Sequence, residues 1–290
     1  MKIGLQIPDF TWPGGAGELG GTLAKIASVA DGAGFSYIAL MDHFFQIRTV
    51  GDSEREMLEA YTALGYLAAH TERAKLLTLV TGAIYRYPGI LAKTVTTLDV
   101  LSGGRAVLGI GAGWNEEESK GLGIPFPPVK ERFDHLEDAI QICLRMWAGD
   151  ESPYQGHIAK LERPLNSPQA LSRPHPPIMI GGGGEKKTLR FVAKYAQLCN
   201  LFGGPDLPHK LDVLREHCER EGRNYDDIEK TVYYRFDTGT DGDGVEKIVA
   251  ELRELADQGV QTAIGYVRDA HLITPLEIIG RDVIPAVESF

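Results

Sequence analysis

Gly103-Gly104-Arg105-Ala106-Val107-Leu108-Gly109-Ile110-Gly111-Ala112-Gly113-Trp114-Asn115-Glu116-Glu117-Glu118 is the stretch on which the reading of this chain turns. Ala106 to Ile110 is short, apolar and partly β-branched, and it reads as a buried strand. Gly109, Gly111 and Gly113 fall at alternate positions, so one face of that strand end carries no side chains. A bare face admits a flat or bulky group, and it equally serves a turn or close packing against a helix. Trp114 and an acidic run follow at once. The spacing is not the dinucleotide fingerprint, because position 114 is Trp where that motif needs Gly.

Outward from this stretch, strands and helices alternate. Lys2–Ile7, Tyr37–Met41, Leu76–Val80, Ile178–Ile180, Leu198–Phe202, Thr231–Phe236 and Thr262–Tyr266 read as the other strands. Between them lie apolar stripes at helical spacing, such as Leu19, Leu23, Ile26, Ala27 and Ala30, or Phe133, Leu136, Ile140, Leu144 and Trp147. A helix over Glu185 to Tyr195 follows the fifth strand. Alternation with apolar strands implies a parallel sheet covered by helices. Eight such units imply an α/β fold closed into a (β/α)8 TIM barrel, one domain over residues 1–290. The long gap between strands 4 and 5 holds an insertion, roughly residues 112–176, with a hairpin or flap near Tyr154 to Leu161.

A formal charge of −10 argues against nucleic acid and against an anionic membrane surface as partners. Cys143, Cys199 and Cys218 are far apart and form no CxxC pair, as expected of reduced thiols in a cytoplasmic protein. No signal sequence and no membrane-spanning apolar run is evident.

In such barrels, sites form at the C-terminal ends of the strands. Those ends hold one group titrating near neutrality, His43, together with much glycine and aromatic surface. His43 is either a proton donor or acceptor at the mouth or a histidine satisfied beneath the loops. Asp42, its neighbour, points to the opposite side if the strand continues. No second strand-end histidine joins His43, so a catalytic metal is not expected. Nor does the sequence pair two carboxylates as a glycosidase would. Gly181-Gly182-Gly183-Gly184 leading into a helix either offers free amides and a helix dipole to a phosphate, with Lys186 and Lys187 adding charge, or forms a flexible turn.

These residues are similar to the luciferase-like monooxygenase family. The match lies in Leu98-Asp99-Val100-Leu101-Ser102-Gly103-Gly104-Arg105, in Gly109 to Trp114, in Met41-Asp42-His43-Phe44, in Tyr87-Pro88, and in Ile178-Met179-Ile180 with the four glycines. The resemblance implies a TIM-type barrel that binds the deazaflavin coenzyme F-420, or alternatively FMN, and it looks most like the deazaflavin-using branch. It places His43 near the reactive face of the ring as the catalytic residue. Coenzyme contacts are expected from Asp42, Leu79, Val80, Thr81, Gly111, Gly113, Trp114, Asn115, Gly181, Gly182, Gly183 and Gly184. Leu79-Val80 is expected to be a bulge with a non-prolyl cis peptide. Phe10, Trp12, Phe44 and Phe202, with Phe45 and Trp114, would form an apolar substrate mouth. Sugar-phosphate dehydrogenases of the superfamily carry a glutamate where Trp114 stands, so that activity is not implied.

Three activities are therefore in view: hydride transfer between the deazaflavin and a small organic substrate, an FMN-dependent monooxygenase fed by a partner reductase, or a coenzyme-binding barrel without turnover. The resemblance also implies a homodimer joined near Glu54 to Tyr66.

Overall fold

The computed structural model describes residues 1–290 and closes eight parallel strands into a barrel. The strands are β1 (Lys2–Ile7), β2 (Tyr37–Leu40), β3 (Lys75–Thr78), β4 (Ala106–Gly111), β5 (Ile178–Gly181), β6 (Leu198–Phe202), β7 (Glu229–Phe236) and β8 (Thr262–Val267). Each pairs with its sequence neighbours, and β8 closes on β1 through Lys2↔Thr262 to Gln6↔Tyr266. The β3–β4 seam is interrupted: Leu76↔Ala106 and Leu77↔Val107 pair, Leu79 and Val80 bulge out, and Thr81↔Ile110 resumes the pairing.

The strands alternate with helices because their outward faces are apolar and need cover. One core of 61 buried residues lies largely between sheet and helices; a smaller one fills the barrel. The smaller consists of Tyr37, Ala39, Leu77, Val107, Met179, Leu198 and Ile264, one residue from each of most strands and two from β2. Those positions fix the inward parity of every strand. Two residues further along come the groups that face the mouth.

The sequence motif around Gly103 is largely scaffold. Arg105 is buried and donates to the carbonyls of Ala68, Thr71, Ser102 and Ala74, tying the entries of β3 and β4 together. Asp99, fully buried, accepts from the amides of Leu171 and Ser172 and anchors the returning insertion. The insertion contains α4 (Glu116–Gly121), α5 (Val129–Trp147) and an antiparallel pair, Tyr154–Gln155 with Lys160–Leu161.

Two helices differ from the sequence reading. The helix after the glycine run, α6, spans Thr188–Tyr195, not Glu185 onward; a turn at 185–187 intervenes. The last apolar stripe, Leu276, Ile279, Val283 and Val287, reads as one regular helix, but between Thr274–Ile278 and Ile284–Val287 the chain takes a π-helical turn at Ile279–Val283. No helix is long and apolar enough to cross a membrane.

Candidate active site

β2 ends at Leu40 and leads into the loop Met41 to Phe45, which carries His43 at the C-terminal end of the barrel. Opposite it, Asn115 caps α4, its side-chain oxygen accepting from the Glu118 amide at 3.5 Å. The cap starts the helix, and Glu118 in its first turn is fully buried. Its carboxylate takes four hydrogen bonds. His43 Nδ1 lies 2.6 Å from Oε1, to which the Tyr85 hydroxyl also donates. The amides of Phe44 and Phe45 donate to Oε2 at 2.8 and 3.3 Å. Burial alone raises the pKa of a carboxyl group, but the bonds from His43 and Tyr85 outweigh it and hold Glu118 below its usual range. Burial, with the bond to Glu118, drives the Tyr85 phenol far above its usual range.

The His43 side chain is 10% exposed, and with Nδ1 committed to Glu118 only Nε2 remains for another group. The Trp114 indole stands edge-on to the imidazole, 5.4 Å between centroids, and is itself 60% exposed. The histidine thus sits at the boundary between a buried anion and an open aromatic wall. Such a carboxylate fixes the ring, selects the tautomer with the proton on Nδ1, and leaves a basic Nε2.

A second buried cluster supports the first. Both Asp42 oxygens are held by Arg86, at 2.5 and 2.9 Å, and Arg86 also reaches Glu59. The guanidinium lies 4.7 Å from the Tyr61 ring centre. Burial pushes the Asp42 carboxyl upward, and Arg86 opposes it. Asp42, expected among coenzyme contacts, is therefore a scaffold residue with no exposed side-chain surface. Thr81 is likewise fully buried, its hydroxyl 2.7 Å from Tyr61 and 2.8 Å from Thr78, so its side chain serves the wall and not the mouth.

The alternating glycines have a different use from the one the sequence suggested. A Cβ at Gly109 would lie 1.8 Å from the Thr78 carbonyl oxygen. At Gly111 it would meet the Val80 side chain at 3.2 Å, and at Gly181 the same side chain at 3.0 Å. The missing side chains make room for the β3 bulge, where the Leu79–Val80 peptide is cis. Leu79 and Val80 stay partly exposed, with Val80 against Gly111 and Gly181. Asn115 is largely occupied as the α4 cap.

Of the apolar mouth residues, Phe10 is corrected: it is 2% exposed and packs in the core, edge-on to Trp12 at 5.8 Å. Phe45 turns toward Gly121. Phe44 and Trp12 are half-buried, and Phe202 is 74% exposed beside Tyr233 at 6.2 Å. Tyr233 and Arg235 share inward parity with Ile264 through the β7–β8 register, so this wall is more polar than expected.

Across the barrel, the Gly182 amide donates to Asn200 O at 3.1 Å, while the amides of Gly183 and Gly184 find no protein acceptor. Gly182 has a φ of +117°, a conformation suited to glycine. Lys210 lies beside Gly183 and pairs with Glu185 at 2.5 Å. No three metal-ligating side chains converge anywhere in the chain.

Sequence reasoning missed Glu118, Tyr85 and Arg86. Glu118 left only a partial signal: Asn115 before an acidic run reads as a helix N-cap, which fixes the helix start but not the direction of the Glu118 side chain.

Comparison with known proteins identifies the family. The profile described as luciferase-like monooxygenase matches residues 1–268. The chain belongs to the luciferase-like monooxygenase family. An F-420-dependent glucose-6-phosphate dehydrogenase of Kineococcus radiotolerans is 32% identical over 225 residues, covering 73% of this chain. The chain spans 62% of that relative's length. Two solved structures of luciferase-like fold superpose over nearly the whole chain. The coenzyme F-420-dependent tetrahydromethanopterin reductase of Methanopyrus kandleri has a TM-score of 0.78 at 18% identity over 98% of both chains. The FMN-bound oxygenating constituent of 3,6-diketocamphane monooxygenase of Pseudomonas putida scores 0.73 at 16% identity, over 99% and 98%. At these identities the structures establish the shared fold.

Proposed function

We propose that this luciferase-like protein is an F-420-dependent oxidoreductase that moves hydride between the deazaflavin and a small organic substrate. One observation carries the reading: a fully buried carboxylate, Glu118, fixes His43 so that only Nε2 faces the mouth. The identity to F-420-dependent glucose-6-phosphate dehydrogenase supports the choice of coenzyme.

The residues present fit the coenzyme. The unpaired amides of Gly183 and Gly184, with Lys210 beside them, suit a phosphate. The partly exposed Leu79, Val80 and Trp114 suit the edge and face of a flat ring. When bound, the deazaflavin supplies the hydride chemistry. The chain supplies the proton. When substrate is oxidised, His43 Nε2 accepts the proton that leaves oxygen as hydride leaves carbon; in reduction it returns that proton. Glu118 stays anionic and holds Nδ1–H throughout. Trp114, Phe44 and Phe202 give apolar surface around the mouth for the substrate. We also infer a homodimer joined near Glu54 to Tyr66, testable by sedimentation.

Fluorescence titration of the purified chain with F-420 and with FMN tests the assignment. Binding of the deazaflavin, followed by turnover on a panel of alcohols and unsaturated ketones, is expected. Tight FMN binding with none for the deazaflavin overturns it, and oxygen uptake with reduced FMN then identifies a monooxygenase.

A further inference from the structure

The mouth is not the only concavity in the molecule. A cavity of about 870 Å³ opens at the opposite, N-terminal face of the barrel. That volume lies within the range of ligand sites, about 300–1,000 Å³. Its wall contains Lys230 and Arg215, and the proposed reaction uses neither.

Lys230 lies on the outward face of β7, since Thr231 and Tyr233 face in. It is 3% exposed, an unusual state for a lysine. Its ammonium makes one hydrogen bond, at 3.5 Å to the Tyr225 carbonyl, which is the outer limit of such a contact. It also sits 4.3 Å from the Tyr225 ring centre. The Arg215 guanidinium lies at the same 4.3 Å from that ring. No carboxylate stands within ion-pair distance of either cation, whereas Lys2, in the same wall, is satisfied by Glu229 at 2.9 Å. Asp226 and Glu288 also line the cavity, and Asp226 is solvent-exposed.

Two like charges thus share one aromatic ring, one of them buried and without a counter-ion. Burial holds the Lys230 ammonium below its ordinary range, and Arg215 pushes in the same direction against Asp226. The rest of the wall is partly apolar, with Ile3, Val260, Ile284 and Pro285. An anion with an apolar body complements both features.

We propose that the N-terminal face of the barrel carries a second binding site, for a small organic anion whose carboxylate or phosphate head is held by Lys230 and Arg215 beside the Tyr225 ring and whose body lies against Ile284 and Pro285. It is separate from the coenzyme mouth, so its ligand and the coenzyme bind together.

Calorimetric titration of the full chain with benzoate, and with benzyl alcohol as the uncharged counterpart, tests this. Benzoate binds and benzyl alcohol does not. Lys230→Met and Arg215→Ala each weaken benzoate at least about ten-fold, the loss of one charge-assisted contact, with F-420 affinity unchanged. Inorganic phosphate that displaces benzoate assigns the head site to phosphate esters; failure to displace it assigns carboxylates. Lys230→Met also leaves thermal stability equal or higher, because an uncompensated buried cation has gone. A fall in Tm with benzoate binding retained makes Lys230 a purely structural contact and overturns the proposal. So does the absence of heat with both benzoate and phosphate. If Lys230→Met does not fold, Arg215→Ala decides, since its side chain is exposed: unchanged benzoate affinity refutes the site.

Discussion

Replacing Glu118 by Gln keeps the shape of the side chain and removes its charge. The consequence can be worked through from the four donors. The amides of Phe44 and Phe45 cannot accept a hydrogen bond, so the Gln oxygen must face them. Its NH2 then faces the Tyr85 hydroxyl and His43 Nδ1. The hydroxyl can rotate to accept, but Nδ1 accepts only if the ring proton moves to Nε2. The substitution therefore reverses the tautomer and removes the basic lone pair from the mouth. General-base catalysis is worth about 10²–10⁴-fold, and kcat should fall by that amount. Its four charge-assisted bonds become neutral ones, a loss of at least about 1–3 kcal/mol in stability. Steady-state kinetics on any substrate that the parent turns over, with F-420 affinity measured alongside, gives the first number; urea unfolding gives the second. The acid limb adds a check that needs no substrate. Glu118 is held below the usual carboxyl value near 4.5, so its contribution is complete above that pH and lost as pH falls through the lower folded value. The Gln variant lacks this acid-dependent loss. A kcat within about three-fold of the parent, with coenzyme affinity intact, refutes the role given to the His43–Glu118 pair.

Three further outcomes are expected. Gly109→Ala places a methyl group 1.8 Å from the Thr78 carbonyl oxygen, and urea unfolding should show a loss of about 3 kcal/mol or more, since backbone cannot yield as a side chain does. Arg86→Met leaves the buried Asp42 carboxylate unpaired and costs about 3–5 kcal/mol at neutral pH. Because burial already raises the Asp42 pKa, its ionised form opposes folding, so the variant should recover stability as pH falls and the carboxyl protonates; unfolding at two pH values checks the sign. Trp114→Ala removes a side chain 60% exposed and edge-on to His43: Tm should hold while coenzyme or substrate affinity weakens about 2- to 10-fold, read by fluorescence titration.

The barrel was legible because its strands are short apolar runs separated by helical stripes, a local pattern that each segment carries for itself. The π-helical turn at Ile279–Val283 escaped because apolar spacing alone cannot distinguish it from regular helix. His43 was legible as a strand-end histidine. Its partner was not, for Glu118 lies 75 residues away and the Asn115 cap does not fix the direction of its side chain. Phe10 was misplaced because an aromatic residue in a loop reads the same whether it lines a mouth or plugs a core. The placement of Asp42 rested on the second strand continuing, whereas it ends at Leu40, and nothing local announced Arg86, 44 residues on, as the group that occupies Asp42. The glycines at 109 and 111 were seen as vacancies; what fills them comes from β3, a tertiary fact outside the stretch itself.

Val80 nests against the bare backbone at Gly111 and Gly181, two positions on neighbouring strands far apart in the chain. The three sites share one packing space, so substitutions at them are expected to be coupled. A bulkier residue at 111 or 181 is tolerated only after position 80 shrinks, and a reversal of that shrinkage then becomes deleterious. Mutational scanning of the pairs should find strong epistasis here, concentrated at the seam and absent from the helical shell.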